Sequence, residues 1–159
     1  PDVKMNVIEV SKLDIKLAIS LYEKVNAGEF IVIAADRTSI SSTERTVKAK
    51  FLEQIASFPE GPFILADLLD FPAYFMVCLK QAGEKYKLIF EELNKPTELG
   101  RNNRPIRLHN YAQQYADLLS KYCIKYPLQW FNYFDFWKES VNAQDSELPR
   151  GQYDRVRTG

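Results

Sequence analysis

Apolar residues in the first part of the chain follow a strand–helix–strand order. Residues 5–10 (MNVIEV) are β-prone and predict a strand. Four apolar side chains then recur at every fourth position, Leu13, Leu17, Leu21 and Val25. This stripe predicts a helix that ends at Gly28. Residues 29–35 are apolar on both faces of a strand, which is typical of an interior strand. The order predicts a βαβ unit with two parallel strands.

The middle of the chain alternates between polar and apolar segments. Residues 37–50 are polar and rich in Ser and Thr, and they predict a loop, whereas residues 51–58 do not favour one structure. Residues 63–70 (FILADLLD) predict a short helix. Two apolar runs, residues 73–79 and 86–91, flank a turn that contains Gly83, and they predict a β-hairpin.

The last third contains the clearest helical period, over residues 108–126. The preceding residues 94–107 predict a loop, whose arginines, Arg101, Arg104 and Arg107, either bind phosphate or are simply solvated. Residues 127–138 are rich in aromatic side chains and predict a helix opened by Pro127. Such a helix is either buried on most sides or lies in a membrane interface, where Trp and Tyr are favoured.

Together these elements predict an α/β fold, with a mixed, largely parallel sheet flanked by helices. We assign residues 1–140 to one domain and residues 141–159 to a polar tail. A chain of 159 residues with 46% hydrophobic residues is large enough to bury a core.

Composition excludes several classes of function. Basic and acidic residues balance at 21 each, and no basic tract carries interleaved aromatics, so we expect no nucleic-acid partner. Cys78 and Cys123 lie in apolar surroundings without CxxC spacing, which favours buried free thiols over metal ligands and weakly favours a reducing compartment. The longest apolar run, residues 30–35, is far shorter than the about 20 residues that span a bilayer. The residues from Pro1 onward show no signal-peptide pattern, and because the chain starts at Pro1 we interpret it as a piece of a longer protein.

Two apolar runs are flanked by charged residues or by Pro and Gly. Asp36 and Arg37 follow the run of residues 30–35, and Pro59, Glu60 and Gly61 precede the run of residues 63–70. Side chains placed at the ends of buried elements are well suited to form a site. The alternative is a surface ion pair and an ordinary turn. The one histidine, His109, has no carboxylate near it in sequence and is interpreted as structural.

The order of these segments resembles the lysophospholipid and lipid A biosynthesis acyltransferases. Asp36 and Arg37 are similar to the family's second block, the residues FPEG at 58–61 to its third, and Pro72 before a strand to its fourth. Residues 127–137 (PLQWFNYFDFW) are similar to the ending of the lipid A branch. The resemblance covers residues 7–137 and is carried by the spacing of the blocks, since FPEG alone is a weak signal.

The resemblance implies a glycerolipid acyltransferase-like fold and transfer of a fatty acyl group from a thioester donor to a hydroxyl of a lipid or glycolipid. The donor is acyl-CoA or acyl-carrier protein, and no cofactor or metal is implied. Asp36, Arg37, Glu60 and Gly61 are the implied substrate-binding residues, with Arg37 on an anionic head group. The resemblance also implies peripheral membrane association. The implied location is the cytoplasmic face of the inner membrane, or the cytoplasm.

The chain departs from the family at its first block, a catalytic histidine with an acidic residue shortly after it. This block is expected upstream of Pro1, so no catalytic residue is assigned within the chain. Pro62 stands where the glycerol-phosphate branch usually carries Thr and Arg, so the resemblance gives little support for glycerol phosphate as the acceptor. Two alternatives remain: a non-catalytic α/β module that binds a lipid or a protein, and a small unrelated α/β domain in which FPEG occurs by chance.

Overall fold

In the part of the chain that the structure describes, the fold consists of two small sheets and three α-helices. The computed structural model describes residues 7, 15–37, 45–96, 103–133 and 136–137. Their elements, in chain order, are α1 (Ile15–Asn26), β1 (Thr46–Phe51), β2 (Gln54–Pro59), α2 (Glu60–Leu69), β3 (Ala73–Lys80), β4 (Tyr86–Leu93) and α3 (Arg104–Lys125). The strands form two antiparallel pairs, β1 with β2 and β3 with β4. Helix α3 contacts both pairs and thereby joins them.

The predicted mixed, largely parallel sheet and the glycerolipid acyltransferase-like fold that the resemblance implies are wrong, because both sheets in the described part of the chain are antiparallel hairpins. Residues 29–35 are extended but belong to neither sheet. Their side chains alternate: Ile31 and Ile33 pack towards α1 and α2, whereas Phe30 and Val32 are 94% and 74% exposed. Apolar, β-branched residues favour an extended backbone, but they do not supply a neighbouring strand, so the βαβ unit is also wrong.

The first hairpin has an unusual turn. Phe51 is paired with Gln54, and the two residues between them, Leu52 and Glu53, have positive φ angles of 47° and 68°. Two central residues with positive φ define a type I′ turn, whose twist matches that of the paired strands. Non-glycine residues adopt this region at a cost of about 1–2 kcal/mol each. Residues 46–50, which were predicted to belong to a loop, therefore form most of β1.

Helix α3 satisfies the backbone along the edge of β1 that does not face β2. The Lys50 N–H donates to Oε1 of Gln113 at 2.9 Å, and Nε2 of Gln113 donates to the Lys50 carbonyl at 3.0 Å. Nδ1 of His109 lies 3.0 Å from the Lys48 carbonyl. One face of a helix thus takes the place of a neighbouring strand, which leaves fewer unpaired backbone groups at this edge.

Two further glutamine amides pair with the backbone at strand ends of the second hairpin. Gln114 accepts from the Asn94 N–H at 2.8 Å and donates to the Asn94 carbonyl at 3.0 Å. Gln129 accepts from the Lys80 N–H at 2.8 Å and donates to the Lys80 carbonyl at 3.1 Å. These contacts attach β4 to α3 and attach the chain after α3 to the end of β3.

The core lies between α3 and the inner faces of the two hairpins. Its largest fully buried side chains are Phe51, Phe58 and Tyr111. Phe75 of β3 stacks on Tyr122 of α3, with ring centroids 5.7 Å apart and planes 11° apart. Aromatic pairs of this kind contribute about 0.5–1.5 kcal/mol beyond the area they bury.

The predicted helix over residues 127–138 is wrong. A 3-10 helix spans only Pro127–Gln129, and the chain is irregular from Trp130 to residue 133. The aromatic side chains explain the difference, because Trp130, Phe136 and Trp137 all pack within 6 Å of the Phe51 ring. These tertiary contacts override the local preference for helix.

The predicted loop before α3 is shorter than expected, since Arg104 and Arg107 belong to the helix. Arg107 makes a bidentate ion pair with Asp67 of α2, at 2.7 Å and 2.9 Å. The two side chains are 13% and 8% exposed. The ion pair joins α2 to α3 and engages Arg107, so the guanidinium is not a solvated phosphate ligand. Three predictions concern residues outside the described ranges: Arg101, the tail 141–159, and the strand over residues 5–10, of which only Val7 is described.

Several predicted elements are confirmed. The helix before Gly28, the hairpin built on residues 73–91 and the long helix α3 are all present. Gly28 has a φ angle of 90°. Its N–H donates to the Val25 carbonyl, and the Glu29 N–H donates to the Lys24 carbonyl, which is the Schellman pattern of helix termination.

The strained turn of the first hairpin gives a stability prediction. Glu53→Gly should raise the free energy of unfolding by about 1 kcal/mol, because glycine adopts positive φ without the steric penalty. The Glu53 side chain is 88% exposed, so little packing is lost, and its ion pair with Lys50 is exposed and contributes little to stability. Gly83→Ala is the matched opposite, at a φ of 72° with open space around the site, and it should lower stability by a similar amount. Urea denaturation measures both; a destabilised Glu53→Gly variant would contradict the turn geometry.

The Asp67–Arg107 pair gives a pH prediction. A hydrogen bond from Arg107 holds the pKa of Asp67 below its ordinary value. The pair therefore stabilises the fold above the unfolded-state pKa of about 3.9 and loses this contribution as pH falls through the lower folded-state value. Asp67→Asn should be less stable than the unmodified chain at pH 7, and the gap should close in strong acid.

The control is Glu84→Gln, at an exposed carboxylate in the second hairpin's turn. Its stability should follow that of the unmodified chain across the same pH series, measured by urea denaturation. A gap between Asp67→Asn and the unmodified chain that stays constant with pH would show that the ion pair does not stabilise the fold.

Candidate functional site

The first predicted pair of site residues lies at the end of the extended segment that follows α1. Ala35 is buried in the main core, Asp36 is half-buried and Arg37 is exposed. Because Ala35 is buried, the backbone position of the two charged residues that follow it, Asp36 and Arg37, is fixed. Nη2 of Arg37 donates to the Phe131 carbonyl at 3.4 Å. This long bond leaves most of the guanidinium available, and it places Arg37 beside the aromatic segment that follows α3.

The second pair opens α2. Pro59 caps the helix with φ −61° and ψ 133°, and no side chain caps the first turn. The Glu60 N–H donates to the Arg45 carbonyl at 2.9 Å. Oε2 of Glu60 is buried and has no hydrogen-bond partner among the described residues. Gly61 follows in the same turn, so Glu60 and Gly61 are helical residues and not the simple turn that the sequence also allowed.

Tyr115 of α3 is the common neighbour of the predicted segments. Its ring centroid lies 5.9 Å from that of Phe58, 5.9 Å from that of Phe63 and 5.4 Å from that of Phe75. Burial raises the pKa of the Tyr115 phenol, and the negative charge of Asp36 raises it further. The segments that carry Glu60 and Pro72 thus contact one aromatic ring, and buried Ala35 places Asp36 at the same core.

The same carboxylate influences Cys123 on the next turns of α3. Burial, followed by the charge of Asp36, raises the pKa of this thiol to about 11. Cys123 is therefore a neutral thiol at neutral pH, which makes it a poor nucleophile. Cys78 is free and exposed on β3, which corrects the expectation that both thiols are buried. Within the described ranges, no group of three or more His, Cys, Asp or Glu residues is placed to hold a metal ion.

The structure brings the predicted residues to one region but does not connect them directly. Among described residues, no hydrogen bond or ion pair joins Asp36 or Arg37 to Glu60. Their link is through the core around Tyr115. His109 lies elsewhere, against β1, which agrees with its interpretation as structural.

A separate depression in the surface lies on the other side of α3. It has a volume of about 330 Å³ and contains none of the predicted site residues. Its lining consists of Asn94, Lys95, Pro96, Asn110, Gln113, Gln114 and Asp117. Because Gln113 and Gln114 already pair with the backbone, these amides serve the fold and are not free to bind a ligand.

Sequence reasoning did not identify Tyr115 or Phe131 as parts of this region. Tyr115 belonged to the apolar stripe of α3, but a stripe shows which side is buried and not which segments meet there. Phe131 takes part through its backbone carbonyl, for which side-chain patterns contain no signal.

No protein-family model, curated protein or solved structure matches the chain. None of the helices in the described ranges is both long enough and apolar enough to cross a membrane.

The carboxylate oxygen of Glu60 that has no partner among the described residues gives a stability prediction. A buried polar atom without a partner costs about 1–3 kcal/mol, whereas an acidic side chain at a helix N-terminus contributes some 0.3–1 kcal/mol. The first effect is larger, so Glu60→Ala should leave stability unchanged or raise it by about 1 kcal/mol. Glu23→Ala, at an exposed site on α1, is the control. A loss of more than about 1 kcal/mol in thermal or urea denaturation would indicate a structural role for Glu60.

Proposed function

We propose that this chain forms the acceptor-binding part of an acyltransferase, which moves a fatty acyl group from a thioester donor to a hydroxyl of a lipid or glycolipid. The donor is acyl-CoA or acyl-carrier protein. The observation that carries the proposal is the convergence around Tyr115 of the segments that resemble the acyltransferase blocks.

Arg37 is proposed to bind an anionic group on the acceptor. Its guanidinium is exposed, and its bond to the Phe131 carbonyl is long. A charged phosphate or carboxylate is a stronger acceptor than a neutral carbonyl, and the planar fork of Arg matches it with two bonds. Phe131 is itself 62% exposed, so an acyl chain attached to the same acceptor has an apolar surface beside the head group.

Glu60 is proposed to hold an acceptor hydroxyl. Its buried oxygen needs a donor, and a hydroxyl supplies one. Gly61 has no side chain, so substrate can approach the backbone at the start of α2. Asp36 lies next to Arg37 and helps to keep the local charge balanced when Arg37 is not occupied.

The reaction needs a general base. The acceptor oxygen attacks the thioester carbonyl carbon, the carbon–sulfur bond breaks, and the hydroxyl proton passes through the base to the leaving thiolate. His109 is placed against β1 and does not adjoin Tyr115 in this arrangement. We therefore propose that the base is a histidine outside these 159 residues, as the family resemblance implies.

Binding of two lipids of equal chain length tests the proposal on this chain. Lysophosphatidic acid carries a phosphate, whereas monoacylglycerol does not. Arg37→Ala should weaken binding of lysophosphatidic acid about tenfold and leave monoacylglycerol unaffected, because one charge-assisted contact is lost. Glu60→Ala should weaken binding of both lipids. Isothermal titration below the micellar concentration measures these affinities.

Arg104→Ala is the matched control, since Arg104 is also an exposed arginine but lies at the start of α3. It should bind both lipids like the unmodified chain. Absence of saturable binding of either lipid would contradict the proposal. The chain alone should not transfer acyl groups from acyl-CoA, since loss of a general base reduces rates by about 10²–10⁴. Turnover by the isolated chain would contradict the assignment of the base to another segment.

A second candidate is a non-catalytic module that binds a lipid or a protein. The apolar outer face of the β3–β4 hairpin favours it, because such a surface can bind a partner without any chemistry. The two candidates differ when a histidine-bearing upstream segment is supplied: the acyltransferase gains turnover, and the module does not.

A further inference from the structure

The β3–β4 hairpin is apolar on both faces. Its inner face packs against α3 through Phe75 and other buried residues. Its outer face, which we call the hairpin face, carries the side chains that alternate with the buried ones: Tyr74, Met76, Cys78, Tyr86, Leu88 and Phe90, with Lys80 at the turn end and Glu92 at the opposite end. The tyrosines, Met76, Leu88 and Phe90 are 45% to 64% exposed. Nothing in the described part of the chain covers this face.

The pairing register makes the hairpin face continuous. Met76 lies opposite Phe90, and Cys78 lies opposite Leu88. A contiguous apolar patch on this scale marks an interaction surface, whereas scattered apolar residues do not. Tyrosine at the edge of such a patch suits a boundary between an apolar and an aqueous phase, because its ring is apolar and its hydroxyl is polar.

The turn end of the hairpin is basic. Lys80, on the hairpin face, and Lys85, in the turn, are exposed there, with Glu84 as the one acidic residue among residues 80–88; Lys87 is also exposed but lies opposite Leu79, on the other face. Leu128 lies beside this end, because its neighbour Gln129 is hydrogen-bonded to the Lys80 backbone. The Leu128 side chain is 87% exposed. An apolar surface bordered by lysines complements a bilayer that contains anionic lipids, to which each nearby Lys contributes about 1 kcal/mol.

The dimensions of the hairpin face argue against a second copy of the chain. Strands of eight residues are about 27 Å long, and a two-stranded sheet is about 10 Å wide. Two such faces in contact bury far less than the about 1,200 Å² of a standard specific interface. A bilayer imposes no such minimum, since it accepts any apolar surface that lies along its interface.

We propose that the hairpin face binds the surface of a bilayer containing anionic lipids, with the lysines of the turn end on the lipid head groups. The strands then lie along the membrane, and α3 covers the opposite side of the hairpin. This inference is independent of acyl transfer, since it concerns where the protein binds and not what it does there.

Co-sedimentation of the full chain with sucrose-loaded vesicles tests the proposal. Vesicles of mixed phosphatidylglycerol and phosphatidylcholine should bind the chain, and binding should weaken as salt is raised and on pure phosphatidylcholine. The double variant Leu88→Ser/Phe90→Ser should bind at least about tenfold more weakly, because two apolar side chains no longer enter the interface. Lys80→Gln/Lys85→Gln should lose the preference for anionic vesicles.

The matched control is Ile15→Ser/Ile19→Ser, which removes two exposed apolar side chains from α1. It should bind like the unmodified chain, and circular dichroism should show that every variant keeps its helical content. Absence of vesicle binding, or equal binding by Leu88→Ser/Phe90→Ser, would overturn the proposal. A chain that dimerises through the hairpin face, without binding vesicles, would also overturn it and assign the face to self-association.

Discussion

The structure depends on the packing of α3 against two hairpins that cannot be stable by themselves. A two-stranded sheet is marginally stable in water and needs a further layer to cover its apolar face. Helix α3 covers one face of both hairpins, with Tyr111, Ala112 and Ala116 fully buried. Its side chains also form direct hydrogen bonds with the backbone at strand edges. Without α3, no described contact of comparable extent joins the first hairpin to the second.

This dependence explains why the candidate site is organised around a tyrosine of α3. Tyr115 contacts β2 through Phe58, α2 through Phe63 and β3 through Phe75. Each of these elements is short, but each is fixed by the same buried ring. The charged residues at their ends are therefore positioned by the core, and a change in the core at Tyr115 would displace all of them together.

The sequence predicted the elements whose signals are local. Local patterns were sufficient to predict α1, the second hairpin and α3. These patterns are the four-residue period of α1, the glycine that ends it, the turn of the second hairpin and the long apolar stripe of α3. The sheet class was not predictable in this way, because residues 29–35 have the composition of an interior strand, and composition does not show whether a neighbouring strand is present. The helix predicted for the aromatic segment after α3 was wrong for a related reason. The rings of this segment are positioned by contacts with Phe51, which is distant in sequence. The site residues Asp36, Arg37, Glu60 and Gly61 came from sequence, but their common neighbour and the unpaired oxygen of Glu60 required three-dimensional contacts.

The proposed binding of an acyl acceptor by Arg37 and Glu60 beside Tyr115 is measured most directly by photo-crosslinking, with a lysophospholipid that carries a diazirine in its head group. We expect mass spectrometry to find the crosslinks in peptides containing residues 35–37, 59–63 and 130–133, and we expect unlabelled lysophospholipid to compete with them. Crosslinks confined to the surface depression that Asn94 and Asp117 line, or to the hairpin face, would contradict it.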